Sequence, residues 1–154
     1  VMVSCVTECG GIVDKFIGDA ILCVFGAPVK GESISADALS AMNCAKKMRE
    51  KLLILNAKRT KKGLLEIQMG IGVHTGPLVA GNIGTTERME YTVIGDTVNL
   101  CSRLEQMTKS LKRAVLVSET TAALVEEEFE LQELTTIEVR GRKEKVTVFY
   151  LDNV

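Results

Sequence analysis

Two short apolar runs, Ile12–Ile17 and residues 20–25, are separated by only Gly18 and Asp19. A Gly-Asp pair between strand-like runs signals a tight β-hairpin, because glycine accepts the positive φ that a two-residue turn demands. This forces an antiparallel pair early in the chain and excludes an all-helical fold. The second run, Ala20-Ile21-Leu22-Cys23-Val24-Phe25, has no polar alternation and predicts a strand buried on both faces.

Around this hairpin the period of the apolar residues changes several times. Residues 1–6 read as the inside of a helix that stops at Gly10-Gly11, a C-terminal cap signal. A domain rarely opens in mid-element, so an N-terminal part is expected to precede Val1. After Gly26-Ala27-Pro28, Ser35 can cap a long helix with Asp37 in its first turn. Leu39, Met42, Ala45, Met48, Leu52 and Leu55 form its apolar face, and Lys58, Arg59, Lys61, Lys62 and Gly63 close it. Residues 66–73 return to strand character. Six glycines between Gly70 and Gly95 imply tight turns or close backbone approach.

Tyr91-Thr92-Val93-Ile94 reads as a strand, and Asp96 or Thr97 can cap a helix to Leu111 whose core face is Leu100, Leu104, Met107 and Leu111. A strand over residues 114–117, a short helix over 120–128, and a hairpin of 136–139 with Val146–Leu151 complete the chain. This mixed order with two hairpins predicts an α+β sandwich rather than a doubly wound sheet.

Length and composition narrow the function. The 154 residues suffice for one domain with its own core, and 46% apolar with 25% charged residues exclude a disordered chain. A net charge of −1 gives no footprint for nucleic acid. No apolar run reaches the roughly 18 residues of a membrane span, and residues 1–10 do not form a signal peptide. Cys5, Cys9, Cys23, Cys44 and Cys101 make no CxxC pair, and His74 has no zinc-ligand spacing. They read as reduced, mostly buried thiols of a cytosolic protein.

Polar residues stand in three places where a core would not want them. Lys15 interrupts a strand and Asp19 sits at the hairpin tip. Aspartate is a hard oxygen ligand of the kind Mg²⁺ takes together with substrate phosphates, although alone the two read as an edge charge and a turn former. Asn99 and Arg103 are i and i+4 on one helix, beside its apolar stripe, where an arginine fork suits phosphate oxygens and an amide can orient a sugar. Alone, this is also an ordinary surface pair. Arg140, Arg142, Lys143 and Lys145 crowd the last turn, as a polyphosphate clamp or a solubilising tip. No dinucleotide-binding GxGxxG and no Walker GxxxxGK[ST] is present.

Together these segments carry a resemblance. Lys15-Phe16-Ile17-Gly18-Asp19 with Phe25-Gly26-Ala27-Pro28, then Gly72-Val73-His74-Thr75-Gly76, then the run from Tyr91 to Asn99, then Ser102-Arg103-Leu104-Glu105 resemble the class III adenylyl and guanylyl cyclases, bacterial type. The order and spacing match over residues 1–151. The resemblance implies a ferredoxin-like βαββαβ sandwich working as a head-to-tail homodimer, with ATP converted to 3′,5′-cyclic AMP and pyrophosphate for intracellular signalling. It implies two Mg²⁺ or Mn²⁺ ions per site, with Asp19 matching the second metal aspartate. Asn99 matches the ribose-positioning residue and Arg103 the residue that stabilises α-phosphate charge. Arg140 stands where a lysine grips the terminal phosphates. Lys15 and Thr92 match the base-reading pair in its adenine form, and His74 is expected to serve structure.

The chain departs from the family in one respect. The first metal aspartate of the family lies upstream of the hairpin in a segment like Phe-x-Asp-Ile-x-Gly-Phe, which residues 1–154 do not contain. The expectation is therefore a catalytic domain over residues 1–154 that lacks its N-terminal strand and helix, with its activity and dimerisation on its own left open. It would act in the cytoplasm, with regulatory domains or membrane tethering upstream of Val1 left open. Two other readings compete: a catalytically silent cyclase-homology domain that binds nucleotide or dimerises, and a ferredoxin-like interaction module without nucleotide. The first usually loses Asp19, Asn99 or Arg103, and the second has no need of Lys15, Thr92, Asn99 and Arg103 together.

Overall fold

The computed structural model describes residues 1–138 and 145–152. Its helices are α1 (Met2–Glu8), α2 (Ile34–Thr60), α3 (Asp96–Leu111) and α4 (Glu119–Val125). The strands are β1 (Ile12–Ile17), β2 (Ala20–Val24), β3 (Ile71–Val73), β4 (Val79–Gly84), β5 (Met89–Ile94), β6 (Val115–Ser118), β7 (Leu131–Ile137) and β8 (Val146–Leu151). A four-stranded sheet of order β3-β6-β8-β7 forms the centre, parallel between β3 and β6 and otherwise antiparallel. The hairpins β1-β2 and β4-β5 are separate two-stranded sheets. The architecture is mixed α+β, as expected.

Strand alternation gives the central sheet two apolar faces. Leu116, Val146, Val148 and Tyr150 pack against Leu100 and Leu104 of α3, with Met107 and Leu111 at the margin. Val115 and Val117, pointing the other way, pack against Ala38, Met42 and Ala45 of α2 and Val125 of α4. A third cluster joins Cys5 and Val6 of α1 to Cys44 and Met48 of α2, with Val13, Cys23 and Phe25 of the first hairpin against it. At Gly72, a Cβ would meet Cys101 O and Glu105 N at 2.5 Å, so only glycine lets β3 lie this close to α3. Cys101 Sγ donates to Gly72 O across the same contact, at 3.3 Å.

Several expectations need correction. The apolar run of β2 is not buried on both faces, since only Val24 is buried. One side of its hairpin rests on α1 and α2, and the other carries the exposed Phe16 and Ile17. The strand sealed on both faces is β6. An apolar run shows that a strand has something to bury but cannot say how many faces find a partner.

Ser33, not Ser35, caps α2, its Oγ accepting from Ala36 N at 3.0 Å. Gly95 with φ 143° stands at the cap of α3 in place of Asp96 or Thr97. The strand expected over 66–73 shrinks to β3, because side chains of α2 occupy the backbone before it. Asn56 exchanges two 2.9 Å bonds with Ile67, and Arg59 Nε donates to Leu65 O at 2.8 Å. The helix expected over 120–128 ends at Val125, and the strand expected over 136–139 begins earlier, at Leu131. β4 went unread because Gly81 and Gly84 break its apolar pattern.

Candidate active site

The two hairpins meet through one polar cluster. Thr92 on β5 is buried, and its Oγ1 donates to Asp14 Oδ2 of β1 at 2.9 Å. Lys15 Nζ lies 3.7 Å from the same Asp14 oxygen and 3.4 Å from Glu90 Oε1 on β5. A cavity of about 80 Å³ adjoins the cluster, lined among others by Val13, Asp14, Ala80, Tyr91 and Val93. The structure thus brings together Lys15 and Thr92, residues 77 positions apart that the sequence reading pairs. Asp14 and Glu90, which hold them, were not singled out in the sequence. The available signal was a second charge beside Lys15 inside an apolar strand.

The other candidates stand apart from this cluster. Asp19 lies exposed at the tip of the β1-β2 hairpin, where Gly18 takes φ 62°. Asn99 and Arg103 occupy the exposed side of α3, and among the described residues neither side chain has a hydrogen bond or ion pair. They are held in place by the buried Leu100 and Leu104 and by the close seating of α3 on Gly72. Arg140 lies outside the described residues, and so do Arg142 and Lys143. Lys145 pairs with Glu138 at 3.3 Å. A larger hollow of about 520 Å³, lined among others by Leu39, Asn43, Lys46 and Phe129, includes none of the candidate residues.

His74 has a structural place. Its Nδ1 is 2.7 Å from Ser118 Oγ, which in turn neighbours Thr121 Oγ1 at 3.2 Å, and Thr121 donates to Thr75 Oγ1 at 3.0 Å. Ser118 and Thr121 are fully buried, so this chain satisfies polar groups inside the core. The five cysteines are free thiols. Burial pushes Cys44 up to about 12, and Cys23 and Cys101 up to about 11, so these three stay protonated and unreactive near neutral pH.

Among the described residues no group of three or more His, Cys, Asp or Glu is arranged to hold a metal ion. The exposed Asp19 carboxylate fits a looser arrangement, because Mg²⁺ keeps waters and is held by one or two carboxylates plus substrate phosphates. No helix among the described residues is long and apolar enough to cross a membrane.

Comparison with known proteins accounts for this combination. Residues 10–153 match the family described as adenylate and guanylate cyclase catalytic domain. An adenylate cyclase of Anabaena cylindrica is 34% identical over 155 residues, covering 96% of this chain and 29% of that protein. Adenylate cyclase 1 of Rhizobium meliloti is 34% identical over 139 residues, or 90% of this chain and 20% of the relative. The chain therefore spans less than a third of the length of these relatives. Among solved structures, the adenylyl cyclase CyaB from P. aeruginosa superposes with a TM-score of 0.89 at 29% identity, covering 99% of this chain and 77% of that one. The guanylyl cyclase Cya2 gives 0.85 at 35% identity, covering 99% and 75%. From its fold and these matches, the chain belongs to the adenylate and guanylate cyclase catalytic-domain family.

Proposed function

We propose that this domain is an adenylate cyclase, forming 3′,5′-cyclic AMP and pyrophosphate from ATP at the interface of a homodimer. The observation that carries the choice of ATP is the Lys15–Asp14–Thr92 cluster, with contacts of 3.7 and 2.9 Å. An ammonium donates, and a hydroxyl already donating to Asp14 accepts, which suits the N1 acceptor and N6 amine donor of adenine. Guanine offers O6 and N1–H in those places. Relatives of both specificities superpose on this chain, so the fold itself does not choose the base.

Chemistry follows from the remaining residues in the roles that the family resemblance gives them. Asn99 orients the ribose so that its 3′-oxygen faces the α-phosphorus. That oxygen gives up its proton to solvent water and bonds to phosphorus, while the bond to the bridging oxygen breaks and pyrophosphate leaves with its electron pair. Arg103 stabilises the charge gathered on the α-phosphate oxygens, a role in which charge complementary to the transition state lowers the barrier. Arg140 grips the terminal phosphates. Asp19 is the carboxylate that would hold Mg²⁺ or Mn²⁺, which when bound neutralises the triphosphate and favours ionisation of the 3′-hydroxyl.

A homodimer is supported by what one chain leaves undone. Among the described residues Asn99 and Arg103 have no bond to the Lys15 cluster, while the hairpins expose Phe16, Ile17, Val79, Met89, Tyr91 and Ile94. A second copy would cover this apolar surface and set α3 of one protomer opposite the hairpins of its partner. Cyclase assays with Mn²⁺ and either ATP or GTP, combined with sedimentation, test the proposal. The expected outcome is cyclic AMP as the main product from a dimeric species. Equal rates with GTP would refute the base assignment, an active strict monomer would refute the dimer, and nucleotide binding without turnover would favour a silent cyclase-homology domain.

A further inference from the structure

The register of β1 breaks at one residue. Val13 pairs with Cys23 and Lys15 with Leu22, so Asp14 has no partner on β2 and forms a β-bulge. In a regular strand the side chains of Asp14 and Lys15 would leave on opposite faces. A bulge re-aims a side chain, and here both charged groups converge on the same place. The Asp14 side chain is only 6% exposed, and its Oδ2 is the atom that both Lys15 Nζ and Thr92 Oγ1 approach. A threonine hydroxyl has one hydrogen and two lone pairs, and a carboxylate beside an ammonium only accepts. With its hydrogen given to Asp14, Thr92 can offer a further partner nothing but lone pairs.

We infer that Asp14 is a specificity-positioning residue: it fixes the Thr92 hydroxyl as an acceptor and holds Lys15 beside it as a donor. The pair then matches a 6-aminopurine and rejects a 6-oxopurine. This rests on the reading of Lys15 and Thr92 as the base-contacting pair. Asp14 itself need not touch the nucleotide. It acts by removing the freedom of Thr92 to turn its hydrogen outward, which is the freedom that would let the hydroxyl serve guanine O6.

The test is a cycle of Asp14→Asn, Thr92→Val and the double variant. ATP and GTP affinities are measured by displacement of a fluorescent nucleotide, with cyclase rates in Mn²⁺ where turnover is present. The amide of Asp14→Asn can donate to Thr92 and release its hydroxyl hydrogen. The ATP-to-GTP ratio should therefore fall about tenfold, the scale of one mispaired hydrogen bond. On the Thr92→Val background, Asp14→Asn should lower the ratio less, by only what the loosened Lys15 contributes. An unchanged ratio in folded Asp14→Asn overturns the inference, as does an equal fall without the threonine hydroxyl.

A merely structural role would lower the melting temperature and weaken both nucleotides alike, leaving the ratio where it was. Should Asp14→Asn unfold, Asp14→Ser is measured in the same way, and loss of folding in both overturns the assignment. An unmutated chain without ATP preference would refute the adenylate reading and the inference with it, whereas an ATP preference that Asp14→Asn leaves unchanged would overturn the Asp14 assignment alone.

Discussion

The four-stranded sheet and the two hairpins spend their apolar residues in opposite ways. In the sheet, Val115, Leu116, Val117 and Val148 are fully sealed between α3 on one face and α2 with α4 on the other. The polar groups inside it, Ser118 and Thr121, are bonded to each other and to His74 and Thr75. The hairpins instead turn Phe16 and Met89 outward, at 65% and 60% exposure, and bury a carboxylate between them. Burial of apolar area stabilises a fold, so the sheet holds the stability, while the hairpins leave apolar surface exposed.

The largest effect should come from Asp19→Ala. Turnover should vanish while thermal unfolding stays near that of the parent chain, since an exposed tip carboxylate contributes little to the core. Leu104→Ala, in a side chain with no exposure, should do the reverse. It should cost about 3 kcal/mol of unfolding free energy through lost burial and a cavity, measured by denaturant titration. A hairpin substitution that destabilised as much as this one would break the division.

Arg103→Ala should lower the rate constant roughly a hundredfold, about 3 kcal/mol of transition-state stabilisation, without moving the melting temperature. It lies one residue before Leu104, so the pair tests both functions of a single helix turn. Near-normal activity in Arg103→Ala would remove that residue from the proposed chemistry.

The smallest effect concerns the corner where α1, α2 and the first hairpin meet. Burial raises the Cys44 thiol from 9.0 to about 12, so the folded chain keeps a proton that the unfolded chain releases earlier. Its contribution is therefore complete below pH about 9 and lost as pH rises through about 12. Melting temperature should fall across that window, and less steeply in Cys44→Ala. An identical slope in the variant would show that the corner is open to water, more like the hairpin tips than the core.

Period and turn chemistry made much of this legible. α3 runs from Asp96 to Leu111 with Leu100 and Leu104 inward, and β8 spans Val146–Leu151, both as the apolar spacing predicts. The Gly18-Asp19 turn fixed the first hairpin. What failed depended on competition at a distance. Asn56 and Arg59 take backbone groups that residues 64–70 would need for a longer strand. The glycines of β4 hid a strand whose stability comes from pairing with β5.

For the site, Lys15, Asp19, Thr92, Asn99 and Arg103 could be named because together, in their order and spacing, they resemble one family. The sequence by itself therefore determined most of the elements and the family, which depend on short-range spacing and residue type. Only the tertiary structure decided that Asp14 is the common partner of Lys15 and Thr92. That contact joins residues 14 and 92 across two separate sheets. It depends on a one-residue bulge in β1, and strand periodicity carries no signal for the place where a ladder slips.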